Sequence, residues 1–198
     1  MKLDRFYPIF DSAEWLQRLL PIGIKLVQLR VKEQPEAEIR KQIRESKRLC
    51  AEHGCQLVVN DYWQLVIEEG CDFVHLGQED LLEADLDAIR AAGLAFGVST
   101  HDQLELGRAL SLEPTYIALG PVYPTILKKM KWTQQGLDRV AEWKQKIGAT
   151  PLVAIGGMSV ERAAGAFAAG ADVISAVTDI TLNPNPETRV RQWLAATR

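Results

Sequence analysis

Eight short, strongly apolar runs recur along the chain, at residues 6–10, 26–31, 56–60, 73–77, 95–100, 116–120, 151–156 and 173–177, and a stretch with helical spacing follows each of them. This alternation is the strongest constraint on the fold. Runs such as LVQLRV, QLVVN and LVAIG are apolar on both faces, as parallel strands are when helices cover one side and other side chains fill the other. Eight strand–helix units without a crossover signal in the middle of the chain predict an α/β fold closed into a (β/α)8 TIM barrel, in preference to an open doubly wound sheet. The expected helices span 12–20, 35–53, 61–69, 83–91, 102–109, 136–146, 159–168 and 186–196. The 198 residues must supply all eight units as one domain, residues 1–198, with no linker dividing it and short connections at the bottom of the barrel.

Several helix boundaries have local causes. Asp11 is expected to cap the helix carrying Trp15, Leu16, Leu19 and Leu20. Ser159 is expected to start the segment SVERAAGAFAAG, whose Ala163, Ala164, Phe167 and Ala168 can face the sheet, and Gly170 to take the left-handed turn after it. Hydrophobic residues make up 47% of the chain and charged residues 25%, which supports a full core and excludes intrinsic disorder. A net charge of −3 does not suit a protein that neutralises a nucleic-acid backbone. No run approaches the ~20 apolar residues of a membrane helix, and the segment MKLDRFYPIF lacks a signal-peptide core. The cytosol is therefore the expected compartment, with no membrane or nucleic-acid partner. Cys50, Cys55 and Cys71 form no CxxC pair and read as reduced core thiols.

In a closed barrel the chemistry belongs at the C-terminal strand ends. The polar residues there are Gln28, Arg30, Lys32, Asn60, Asp61, Gln78, Asp80, Ser99, Thr100 and His101. Arg30 and Lys32 share strand parity and suit a diphosphate. Asp61 and Asp80 end adjacent barrel units and suit Mg²⁺, a hard cation that accepts carboxylate, water and phosphate oxygens. The sixth run leads into LGPVYPTILKKMKWTQQG, where Lys128, Lys129 and Lys131 can cover an anion and Trp132 can pack as a lid. Gly156 and Gly157 precede a helix start, a place where backbone N–H groups meet phosphate, with Ser175 nearby on the eighth strand. For each of these features the alternative is structural: solvated strand ends, helix caps, an ordinary loop, or tight helix packing. His101 is a secondary candidate for proton transfer. His75, inside an apolar strand, and His53 carry less weight, and there is no Ser/His/Asp signature.

Taken in order, FYPIFDS, VQLRVKE, VVNDYW, VHLGQEDL, GVSTH, YIALGPVYPT and VAIGG resemble the thiamine-phosphate synthase family in its proteobacterial form, over residues 6–178. The resemblance implies a transferase that condenses 4-amino-2-methyl-5-(diphosphooxymethyl)pyrimidine with 4-methyl-5-(2-phosphooxyethyl)thiazole, giving thiamine phosphate and diphosphate through dissociative loss of the diphosphate. By similarity, Gln28, Arg30, Lys32, Asn60, Ser99 and Lys128 contact the pyrimidine diphosphate, with Arg30, Lys32 and Lys128 stabilising the leaving charge. Asp61 and Asp80 ligate Mg²⁺. Thr125, Gly157 and Ser175 bind the thiazole phosphate.

The chain departs from the family pattern twice. YPTILK stands where YPTxTK is usual, so Leu127 replaces a hydroxyl. GADVISAVT is about three residues shorter than the usual eighth-strand segment, which moves the chain by about 10 Å unless the preceding loop absorbs it. Two other readings therefore stay open: a thiazole tautomerase using His101, and a non-catalytic protein that binds or senses phosphate ligands.

Overall fold

A strand buried on both faces sends alternate side chains into two different cores, and the barrel built by this chain separates the two cleanly. The computed structural model describes residues 2–125 and 133–198. Its strands are β1 (Phe6–Phe10), β2 (Leu26–Leu29), β3 (Gln56–Asn60), β4 (Phe73–Leu76), β5 (Ala95–Thr100), β6 (Tyr116–Leu119), β7 (Leu152–Ala154) and β8 (Val173–Ala176). All pair in parallel in sequence order, and β8 returns to β1, so the expected TIM barrel closes. Tyr7, Leu26, Val58, Phe73, Tyr116, Ala118, Val153 and Val173 pack together on the axis. Residues of the opposite parity, such as Phe6, Val27, Val59, Val74 and Ile174, join the larger layer beneath the helices.

The helices are α1 (Ala13–Leu19), α2 (Glu36–His53), α3 (Trp63–Glu68), α4 (Gln78–Glu83), α5 (Leu86–Ala91), α6 (Gln103–Ser111), α7 (Gly136–Ile147), α8 (Val160–Ala168), α9 (Thr178–Thr181) and α10 (Pro186–Thr197). In α2 the buried Ile39, Ile43, Ser46, Leu49 and Cys50 recur at three- and four-residue spacing and form the stripe that faces the barrel. Arg40 and Arg44 of α2 bind the Glu69 carboxylate at 2.8 and 2.6 Å, fastening α2 to the end of α3. The three cysteines are buried and free of disulfides. No helix among the described residues is long and apolar enough to cross a membrane.

Five details differ from the sequence expectations. In α8 the residues turned inward are Ala163 and Ala166, while Ala164 and Ala168 are exposed and Phe167 is half-buried, because the helical repeat that buries Ala163 comes round again at Ala166. Asp11 does not cap α1: Ser12 holds the N-cap position, with no side-chain capping bond. The helix expected at 83–91 runs over 86–91 as α5, and a further helix, α4, precedes it directly after β4, held by its buried Leu81. The short α9 lies between β8 and α10, where no helix was expected. Thr100 faces the helices, donating to the Ala118 carbonyl at 2.9 Å and accepting from Trp143 Nε1 at 2.8 Å.

The eighth unit closes without a gap. β8 has four residues, pairing Tyr7 with Ser175 on one side and Val153 with Val173 on the other. Gly170, at φ +105°, takes the expected left-handed turn after α8, and Ala171 N–H reaches back to the Ala166 carbonyl at 3.0 Å. A turn this tight leaves no surplus chain between α8 and β8, so Ser175 stays in register with its neighbours.

Candidate active site at the barrel mouth

The inward parity continues past the strand ends and opens into a cavity of about 600 Å³. Gln28, Arg30, Lys32, Asn60, Asp61, Asp80, Ser99, His101, Thr125, Gly157 and Ser175 all line it. Lys128 lies outside the described residues, as do Leu127, Lys129, Lys131 and Trp132.

One wall is electrostatic. Asp61 is buried, 6% exposed; its carboxylate forms an ion pair with Lys32 and accepts a bond from Asn60 Nδ2 at 2.6 Å. The backbone here is left-handed at two non-glycine residues, Asp61 (φ 65°) and Tyr62 (φ 24°). This conformation is costly for side chains, and such strain collects at functional sites. It is held by Asp61 N–H on the His75 carbonyl at 2.8 Å and by Tyr62 Oη on the Val31 carbonyl at 3.1 Å. Asp80 rides on the first turn of α4. Burial, the charge of Asp61 and a hydrogen bond between the two carboxyls push Asp80 above the usual carboxyl range. Two carboxylates forced together in this way are complementary to a cation. Arg30 makes no ion pair among the described residues, leaving one uncompensated guanidinium at the rim.

The opposite wall comes from the last two strands. Gly156 and Gly157 are required by the fold itself. A Cβ on Gly157 (φ 62°) would lie 2.8 Å from the Tyr123 carbonyl oxygen and nearer still to that of Pro124. The glycine pair therefore lets the segment after β6 lie against the end of β7, which is the packing explanation of the motif. Ser175 is different. It is 1% exposed and its hydroxyl has no partner among the described residues, a state that buried polar atoms rarely tolerate without a ligand or water. Next to it, Thr178 of α9 lines the cavity. Arg189 of α10 anchors α9 by gripping both Asp179 oxygens at 2.8 Å, while Trp193 Nε1 donates to the same carboxylate at 2.8 Å.

The floor holds residues that the sequence reading missed: Tyr7, His75 and Tyr116. His75 accompanies them because it has the inward parity of Asn60 and Ser99, a signal available once a closed barrel is assumed. Burial pushes the His75 imidazole down to about 4, so it is neutral at physiological pH. Gly97 makes room for the Tyr116 ring beside it. His101 has a more local setting: Glu105 Oε2 accepts both its backbone N–H at 2.7 Å and a bond involving Nδ1 at 2.8 Å. Glu105 thus reaches back over the start of α6, where Asp102 caps the Glu105 N–H at 2.9 Å, an arrangement akin to a capping box.

The family model for thiamine monophosphate synthase matches residues 6–180. The thiamine-phosphate synthase of Rhizobium etli is 60% identical over 197 residues, covering 100% of this chain and 97% of that protein. The chain belongs to the thiamine monophosphate synthase family. A second family member, from Cronobacter sakazakii, is 45% identical and covers 97% of this chain and 88% of its own. The family fold is equally evident in the thiamine phosphate pyrophosphorylase of Pyrococcus furiosus, which superposes with a TM-score of 0.86 at 22% identity, covering 98% of this chain and 95% of that one.

Proposed function

We propose that this protein is a single-domain cytosolic transferase that joins the aminopyrimidine diphosphate to the thiazole phosphate, releasing diphosphate and forming thiamine phosphate. The observation that carries this reading is one cavity with anion-binding character at two ends, Arg30 and Lys32 on one side and, on the other, Ser175, whose hydroxyl has no partner among the described residues. Family membership supplies the reaction; the site assignments are our own reading. Gln28 and Asn60 orient the pyrimidine, and Arg30, Lys32, Ser99 and Lys128 hold its diphosphate. Thr125, Gly157 and Ser175 hold the thiazole phosphate.

The carbon–oxygen bond breaks with its electron pair going to the diphosphate, and the electron-rich aminopyrimidine carries the resulting methylene cation. The thiazole nitrogen then supplies the electron pair of the new carbon–nitrogen bond. No side-chain nucleophile is needed. The barrel contributes cations that stabilise the growing charge, proximity, and walls that keep water from the cation. Asp61 and Asp80 fit Mg²⁺: their carboxyls lie against each other at the cavity mouth, and this ion is commonly held by one or two carboxylates with water and phosphate oxygens completing its shell. When bound there, Mg²⁺ would supply positive charge against the diphosphate oxygens. The reduced, buried cysteines support a cytosolic setting.

Purified protein given both substrates and Mg²⁺ should produce the mass of thiamine phosphate. A folded sample that yields none across several metals refutes the proposal. Conversion of the thiazole carboxylate tautomer without the pyrimidine would indicate a tautomerase, and tight phosphate-ligand binding without product a binding protein.

A further inference from the structure

Five side chains on five strands form one unbroken hydrogen-bond chain across the cavity floor. Gln28 Nε2 donates to Tyr7 Oη at 2.9 Å, and the Tyr7 and Tyr116 hydroxyls share a bond of 2.9 Å. Tyr116 Oη meets His75 Nδ1 at 2.7 Å, and His75 Nε2 meets Ser99 Oγ at 2.8 Å. The Tyr116 ring is packed parallel to His75 at 5.6 Å with 9° between planes, and edge-on to Tyr7 at 5.8 Å. These contacts hold the chain in one geometry.

Such a chain can run in either direction. A neutral imidazole has one donor and one acceptor nitrogen, so the direction and the His75 tautomer are the same choice. If Ser99 donated to His75, successive bonds would run toward Tyr7. The Tyr7 oxygen would then accept from both Tyr116 and Gln28, and its own proton, on a residue 1% exposed, would have no acceptor among the described residues. Buried donors are almost always satisfied. In the opposite direction the Tyr7 and Tyr116 hydroxyl protons and the His75 Nε2–H each have an acceptor, and the Ser99 proton is free to point into the cavity.

We propose that His75 is a positioning residue, fixed as its Nε2–H tautomer, which obliges Ser99 to act as a hydrogen-bond donor toward an anion at the barrel mouth. The proposal deepens the functional reading above and rests on its assignment of Ser99 to the diphosphate. The reverse chain would turn the lone pairs of Ser99 toward the phosphate oxygens and repel them. Tyr7 and Tyr116 would then serve the reaction by ordering protons at a distance.

The test is ¹⁵N-histidine NMR on the free protein, combined with calorimetric titration of inorganic pyrophosphate in the presence of Mg²⁺. The expected result is a proton on Nε2 of His75 and none on Nδ1. Tyr116→Phe, which removes the donor to Nδ1, should give mixed tautomers and weaken pyrophosphate binding about tenfold, the scale of one charge-assisted hydrogen bond. His75→Gln, whose amide can again donate toward Ser99, should recover part of that loss. If Tyr116→Phe does not fold, the wild-type tautomer still decides. An Nδ1–H tautomer with normal pyrophosphate affinity overturns the proposal alone, as does a Tyr116→Phe protein unchanged in both measurements. Nε2–H protein that binds no pyrophosphate overturns the diphosphate assignment, and the proposal with it.

Discussion

Gly97→Ala should be among the most damaging small substitutions in this protein, although it adds only a methyl group. A Cβ at position 97 would lie 2.5 Å from Tyr116 Cε2 and closer still to Cζ and Cε1. Carbon atoms prefer roughly 3.5 Å or more, so the ring must retreat by at least about 1 Å. It has no open side to retreat to: Tyr116 is fully buried and packed by Tyr7, Phe73 and His75. A movement of that size also breaks the 2.9 Å bond to Tyr7 and the 2.7 Å bond to His75. Overpacking costs about 1–3 kcal/mol and each lost bond about 1 kcal/mol, so the expected loss is about 3–5 kcal/mol. That is a large share of the roughly 5–15 kcal/mol by which domains are stable. Gly107→Ala is the control, since nothing lies within 4 Å of a Cβ there and the residue sits inside α6; it should stabilise by about 0.5–1 kcal/mol. Urea unfolding followed by circular dichroism, with the slope m unchanged, measures both. A Gly97→Ala loss below about 1 kcal/mol would refute the reasoning that the barrel axis is filled without slack.

Three further outcomes are expected. Ser175→Ala should leave the stability of the free protein unchanged or slightly raised, because the lost hydroxyl is buried without a partner among the described residues, while KM for the thiazole phosphate rises; a clear fall in melting temperature would reveal a partner for that hydroxyl. Asp80→Asn should stabilise the free protein by relieving the repulsion from Asp61, yet abolish the rise in melting temperature produced by Mg²⁺ with pyrophosphate and lower kcat; an unchanged kcat would remove Asp80 from the site. Arg44 and Arg40 hold the Glu69 carboxyl down from 4.5 to about 2. A carboxyl lowered on folding contributes stability above its unfolded value and loses it as the pH falls through the folded one. Acid titration should therefore destabilise the wild type between pH 4.5 and 2 more steeply than Glu69→Gln, and parallel profiles would refute the coupling.

Much of the mouth is legible in the sequence, because a closed barrel collects its strand ends in one place whatever their spacing in sequence. Arg30, Asp61, Asp80 and Ser175 come from four units and line one cavity. The residues that escaped were those whose neighbours belong to other strands. His75 reads as an odd polar residue in FVHL until β5 and β6 bring Ser99 and Tyr116 to its two nitrogens. Thr100 reads as a site residue beside Ser99 until parity turns it toward Trp143. The glycine pair at 156 and 157 reads as a phosphate loop, and the segment at Tyr123 and Pro124 accounts for it by close packing.

The alternation of apolar runs and helical segments by itself determined the architecture, since eight two-faced strands have few ways to be buried. It also determined which rim positions carry charge, since residue type is a property of the chain alone. Only the tertiary structure decided how those charges are shared: Lys32 and Asn60 take Asp61, Asp80 is left crowded against it, and Arg30 has no ion pair among the described residues. The same is true of the eighth strand, whose brevity in sequence says nothing about whether the barrel closes. Closure depends on backbone bonds to both neighbours, and Ser175 keeps its place at the site because β1 and β7 pair with β8 on either side.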